Sequence, residues 1–145
     1  MAVNTADSRL EEQWRDILSV HARTMCEIDR VLHPHGLGAS DFEVLDMLAA
    51  ESPEEGGRCR VLNLVGRVHL SQSALSRLIG RLEKEGLIER SVCAEDRRGV
   101  SVSLTRKGRD LLAEVRPLQR EVLARMLGQY PEGPVGFSAA VRVPR

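Results

Sequence analysis

Residues 70–105 read "LSQSALSRLIGRLEKEGLIERSVCAEDRRGVSVSLT", and the hydrophobic period changes once within them. In the first half Ala74, Leu75, Leu78, Ile79 and Leu82 recur at three- and four-residue steps, which places them on one face of a helix. Ser71 stands where a side chain can cap that helix. Gly86 stands where a left-handed residue can end it, with Leu87 available for the apolar contact that accompanies such an ending. In the second half "LIERSV" and the strictly alternating Val100, Val102 and Leu104 of "VSVSLT" favour extended chain. The polar, glycine-ended "CAEDRRG" between them predicts a hairpin with a charged tip.

Outward from this stretch the pattern is helical. From Ser8 to about Leu32, Leu10, Trp14, Ile17, Leu18, Met25, Ile28 and Leu32 predict a long amphipathic helix, which "HPHGLG" stops. Ser40 or Asp41 can cap a second helix through "FEVLDMLAA", with Phe42, Leu45, Leu48 and Ala49 on one face. A third is predicted from about Cys59 to Val68, with Leu62, Val65 and Gly66 facing inward. Thr105 can cap a last helix carrying Leu111, Leu112, Val115, Leu118, Val122, Met126 and Leu127, in which Pro117 predicts a bend. The closing "PEGPVGFSAAVRVPR" has no sustained period and reads as irregular.

The expected fold is mainly α with a small β-hairpin wing. Its parts are an N-terminal helix and turn over 1–39, a lobe over 40–105, a C-terminal helix over 106–130 and an irregular tail over 131–145. The two end helices carry apolar stripes wider than the lobe alone could cover. They are therefore expected to pack on each other and on a second copy of the chain.

Composition limits the function. A chain of 145 residues with 42% hydrophobic residues suits one globular domain. Only four residues are aromatic, Trp14, Phe42, Tyr130 and Phe137, which disfavours recognition by base stacking. No run approaches the ~20 apolar residues of a membrane span, and the opening "MAVNTADSRLEEQWRD" lacks the basic start and apolar centre of a secretory signal. A cytoplasmic location is expected, away from membranes. Cys26, Cys59 and Cys93 lie far apart without a C-x-x-C spacing, and His33 and His35 flank Pro34 in a turn, so no disulfide framework, metal site or cofactor is expected.

Zero net charge conceals a segregation of sign. Between Arg58 and Arg109 twelve Arg or Lys residues face five Asp or Glu, and the rest of the chain is correspondingly acidic. Such a segment suits an acidic partner. Arginine outnumbers lysine 19 to 2, which fits either phosphate recognition or a G+C-rich genome.

Two helices followed by a hairpin is the order of a winged helix-turn-helix, whose second helix lies in the major groove of double-stranded DNA. Opposite the leucine stripe the predicted DNA-binding face comprises Ser71, Gln72, Ser73, Ser76, Arg77, Arg81 and Lys84. The serines are short enough to let the axis sink into a groove. Arg77 and Arg81, four residues apart, can reach guanine edges or phosphate oxygens. Gly80 fits either a close approach to DNA or tight packing against the third helix. At the hairpin tip Asp96, Arg97, Arg98 and Gly99 form the predicted wing site. Arg97 and Arg98 can enter a minor groove, and Asp96 can pair with Arg98 to fix the loop.

"LSQSALSRLIGRLEKEGLIER", followed by "EDRRG" and "SLTRKGRDLL", resembles the MarR family of bacterial transcription regulators, in which a D-x-R-[AGS] wing motif precedes an L-T-x-x-G helix start. Those positions here are Asp96, Arg98 and Gly99, then Leu104, Thr105 and Gly108, and the likeness covers roughly residues 8–127. It implies a homodimer built from the first and last helices, a recognition helix at 71–85, a wing Arg98 held by Asp96, and a palindromic operator. It also implies a small-molecule pocket, with Trp14, Arg15, His21 and Phe42 as lining candidates for a small anionic or aromatic effector. The departure is the tail, where family members carry a further amphipathic helix.

The expected function is that of a sequence-specific, ligand-responsive repressor, homodimeric on its operator. One alternative is thiol-based redox sensing through Cys26, whose apolar neighbours nevertheless predict a buried, inert thiol. Another is a winged-helix protein-interaction module without DNA binding, against which the basic segment argues. No paired carboxylates, nucleophile with base or glycine-rich phosphate loop suggests an enzyme.

Overall fold

The structure, a computed structural model, describes residues 5–51, 57–92 and 99–128. In chain order these form α1 (Thr5–Leu32), a 3-10 turn (His33–His35), α2 (Ala39–Glu51), β1 (Cys59–Arg60), α3 (Val61–Val65), α4 (Gln72–Lys84), β2 (Ile88–Val92), β3 (Val100–Leu104) and α5 (Arg106–Leu127). They belong to two compact units, a lobe of residues 35–116 and a helical unit whose described parts are residues 5–34 and 117–128. Among the described residues, no helix is long and apolar enough to cross a membrane.

The lobe is built around β3, the middle strand of its sheet. Its inward positions Val102 and Leu104 are buried, and it pairs antiparallel with β2 in the register Ile88↔Leu104 through Val92↔Val100. On its other side β1 pairs Cys59 with Val102 and Arg60 with Ser101, giving the order β1-β3-β2. Against this sheet lie α2, α3 and α4, whose Phe42, Leu45, Leu48, Leu64, Leu75, Ile79 and Leu82 are buried, as are Leu112 and Val115 of α5, each at 3% exposure or less. A fully buried side chain of this size contributes about 1.5–3 kcal/mol. The leucine stripe of α4, more than its cap at about 1 kcal/mol, therefore decides which face turns outward.

The expected third helix is corrected. Cys59 and Arg60 are a strand, the helix is only Val61–Val65, and Leu64 is its buried residue while Leu62 is 66% exposed. Pairing with β3 fixes the phase at which the chain enters α3, and a helix of five residues cannot rotate to bury Leu62 as well. Two boundaries also move. α1 starts at Thr5, and α2 starts at Ala39, so that Gly38 occupies the cap position and accepts the Phe42 N–H at 3.1 Å.

In the helical unit the lower half of the α1 stripe, Ile28 and Leu32, is buried with Val20 and Thr24. Leu10, Trp14 and Leu18, one turn apart, are exposed. Glu27 of α1 accepts hydrogen bonds from Arg30 and Arg125, each at 3.0 Å, linking α1 to the C-terminal half of α5. These two guanidinium groups hold the Glu27 carboxyl below its ordinary range. α5 continues as helix through Pro117.

Candidate nucleic-acid interface

α4 begins as its sequence predicts. Ser71 adopts extended angles and its Oγ accepts the Ala74 N–H at 3.2 Å. Ser71, Gln72, Ser73, Ser76, Arg77, Arg81 and Lys84 are all exposed, while Leu75, Leu78, Ile79 and Leu82 are buried. The face thus offers hydroxyl, amide and guanidinium donors along three turns without a large apolar side chain. Gly80 does not serve packing among the described residues, since a Cβ there would meet nothing within 4 Å.

The far end of α4 is fixed by an interlocking set of backbone bonds. Gly86, at φ +76°, takes the left-handed conformation that a side chain would resist. Leu87 N–H then donates to Leu82 O and Gly86 N–H to Glu83 O, each at 3.0 Å, the paired bonds of a glycine-terminated helix. Thr105 closes the corner: its hydroxyl donates to Gly86 O at 2.6 Å and accepts the Gly108 N–H at 3.0 Å. Its own N–H donates to Leu87 O at 3.1 Å. A Cβ on Gly108 would overlap the Leu87 carbonyl oxygen. The Leu-Thr-x-x-Gly spacing is therefore a joint, in which Thr105 caps α5 and Gly108 lets α5 touch the end of α4.

Charge on this face is organised by ion pairs. Glu83 of α4 accepts from Arg90 Nε of β2 at 2.9 Å. Arg81 is bound through one terminal amino group to Asp41 of α2, and its other amino nitrogen lies 3.9 Å from Glu85. The bond to Asp41 holds the Arg81 guanidinium above its ordinary pKa. Asp41 also accepts the Gly38 N–H at 2.7 Å; it sits three residues inside the helix and reaches back to the cap residue, the second half of a capping box, rather than acting as the cap itself. Sequence reading missed this pairing. The only local signal was an acidic residue in the first turn of α2. Arg77, by contrast, has no ion pair among the described residues, and an open groove of about 440 Å³ is lined by Ala74, Arg77, Leu78 and Arg81.

The strands of the hairpin lie beside α4, but Asp96, Arg97 and Arg98 fall outside the described residues; Gly99 is buried at the start of β3. A smaller cavity of about 200 Å³ between α3, α4 and the sheet is lined in part by Leu62, Val65, Ile79 and Val100, with Ser76 and Arg90 as polar groups. None of the expected effector contacts lines it. Trp14, Arg15 and His21 are exposed on α1, Arg15 within 3.9 Å of Glu11, and Phe42 is a core residue of the lobe. Cys26 is exposed, against the burial expected from its neighbours, because it turns away from the Ile28 and Leu32 side of α1. Cys59 is buried, which pushes its thiol pKa up. Among the described residues no cluster of three or more His, Cys, Asp or Glu side chains could hold a metal ion.

Residues 39–100 match the family model described as MarR family. The chain is 30% identical to AbsC, a MarR family transcriptional regulator from Streptomyces coelicolor, over 91% of this chain and 86% of that one, with a TM-score of 0.75. A second MarR family regulator of Streptomyces coelicolor, solved in complex with DNA, is 26% identical over 91% of this chain and 81% of that one, with a TM-score of 0.76. BpsR of Bordetella bronchiseptica, whose DNA binding is regulated by 6-hydroxynicotinic acid, is 26% identical over 77% and 76% of the two chains, with a TM-score of 0.68.

Proposed function

Because the chain belongs to the MarR family of transcriptional regulators, we propose that it binds double-stranded DNA sequence-specifically as a homodimer and represses from a palindromic operator. The observation that carries this reading is α4 with its cap residue Ser71: seven polar and basic side chains exposed along one face, opposite a buried leucine stripe. In that reading α4 enters the major groove. Arg77, Arg81 and the serines meet base edges and phosphates, and the wing residues Arg97 and Arg98, with Asp96 and Gly99 shaping the tip, meet the adjoining minor groove. The exposed Leu10, Trp14 and Leu18 of α1 are the surface a second copy would cover. The effector is a small anionic or aromatic molecule, the class to which the regulator of BpsR belongs, and Trp14, Arg15 and His21 are its proposed contacts. The protein acts in the cytoplasm.

The test is selection of duplexes from a random pool by the full chain, followed by titration across salt. The expected result is an enriched inverted repeat with half-sites about one helical turn (~34 Å) apart. Its affinity should fall log-linearly with salt as phosphate contacts release counterions. Enrichment of no sequence, or affinity indifferent to salt, would refute it. The exposure of Cys26 favours a second reading, thiol-based sensing. Release of DNA by an organic hydroperoxide, absent in Cys26→Ser, would establish it over the effector.

A further inference from the structure

Asp41 is only 3% exposed, and a buried carboxylate is tolerated only when hydrogen-bonded and charge-compensated. Both conditions are met, and by different parts of the lobe. One oxygen takes the Gly38 N–H at the positive end of α2. The other takes a terminal amino group of Arg81, forty residues away in sequence on α4. Arg81 itself is 46% exposed along its side chain; Asp41 holds one terminal amino group, the other lies 3.9 Å from Glu85, and the side chain lines the groove it shares with Arg77.

Two consequences follow for an arginine on a DNA-facing helix. The conformational freedom that a solvent-exposed arginine loses on docking is already lost here, because Asp41 and Glu85 bracket its fork. The Asp41 charge also offsets that of Arg81, so Arg81 adds little to the general attraction of the face for phosphate. An arginine with fixed direction and compensated charge suits selection among base pairs more than it suits affinity for any duplex.

We propose that Asp41 is a positioning residue for sequence reading: without touching DNA, it aims the donors of Arg81 that it does not itself hold into the groove beside Arg77 and makes Arg81 a specificity-determining contact. The inference rests on the reading of α4 as the recognition helix, and it gives Arg77 and Arg81 different work. Arg77, unpaired among the described residues, supplies attraction; Arg81 supplies discrimination.

The experiment measures dissociation constants of the full chain for the duplex that the wild type enriches from a random pool, and for a scrambled duplex of the same composition, at two salt concentrations. Asp41→Asn keeps an oxygen for the Gly38 N–H but frees Arg81 and removes a negative charge. Its ratio of scrambled to specific dissociation constants should fall about tenfold, the scale of one good arginine–base contact. Its affinity for scrambled DNA should hold or rise. Arg81→Lys, which keeps the charge without the fork, should lose the same discrimination, and this variant carries the test if Asp41→Asn does not fold. On an Arg81→Ala background, Asp41→Asn should have no further effect on the ratio. Equal weakening on both duplexes, additive losses in the double variant, or an unchanged ratio would each overturn the proposal while leaving DNA binding standing. A wild type that retains no duplex would overturn both.

Discussion

Replacing Gly108 by alanine sets helix propensity against packing, and the two predict opposite signs. Alanine is favoured over glycine inside a helix by about 0.8–1.0 kcal/mol, so propensity alone makes the variant more stable. At this position, however, the new Cβ would overlap the Leu87 carbonyl oxygen and come within 3.3 Å of Leu104 Cδ2. Backbone atoms cannot give way as a flexible side chain can, so α5 must retreat from the end of α4. That retreat weakens Thr105 O–H to Gly86 O at 2.6 Å, Thr105 N–H to Leu87 O at 3.1 Å and Lys107 Nζ to Glu85 O at 2.8 Å. At about 1 kcal/mol each, less the propensity gain, the net loss is about 2 kcal/mol. For a chain of this length that lowers the melting temperature by roughly 6 °C. The assay is urea and thermal unfolding followed by far-ultraviolet circular dichroism at matched protein concentration. Gly80→Ala is the control: its Cβ meets nothing within 4 Å, so the same substitution should stabilise by about 0.5–1 kcal/mol. If Gly108→Ala proved as stable as the wild type, the close joint between α4 and α5 would not be the reason for that glycine.

Two other outcomes follow from single side chains. Iodoacetamide at neutral pH should label the exposed Cys26 quickly and the buried Cys59 only on unfolding, since burial raises the Cys59 thiol pKa and withholds the thiolate; peptide mass spectrometry reads this out, and equal labelling in the native state would contradict it. Glu27 binds its proton less tightly in the folded chain than in the unfolded one, because Arg30 and Arg125 hold its pKa down. Its contribution to stability is complete above the ordinary value of 4.5 and is lost as the pH falls through the lowered folded value. Glu27→Gln should therefore flatten the acid limb of the stability curve in that window, and an unchanged limb would show that the two arginines add nothing there.

What could be foreseen from sequence was local. The leucine period of α4, its serine cap and its terminal glycine all lie within sixteen residues, and each acts on its neighbours. The alternation of β3 was legible in part: Val102 and Leu104 are buried as the every-second-residue spacing predicts, whereas Val100 at the strand's edge is 37% exposed and Ser101 is buried. β1 was not legible. Two residues cannot display a period, and Cys59 and Arg60 are a strand only because Val102 and Ser101 lie opposite them. That distant pairing also set the phase of α3 and exchanged Leu62 for Leu64 in the core. The tie between Asp41 and Arg81 was hidden likewise, since in sequence each looks like an ordinary charged residue near a helix end. On the candidate interface the pattern named the exposed side chains, but not which arginine was already engaged.

Trp14 is the chain's single tryptophan, and it stands 59% exposed on α1. An indole in water emits at long wavelength and shifts to the blue when a surface closes over it. The native molecule therefore carries an optical reporter on the helical unit, while the lobe holds no residue that absorbs or emits in the same band. Association through α1 can be followed label-free, by the colour and anisotropy of one fluorophore, in the same cuvette where DNA is titrated.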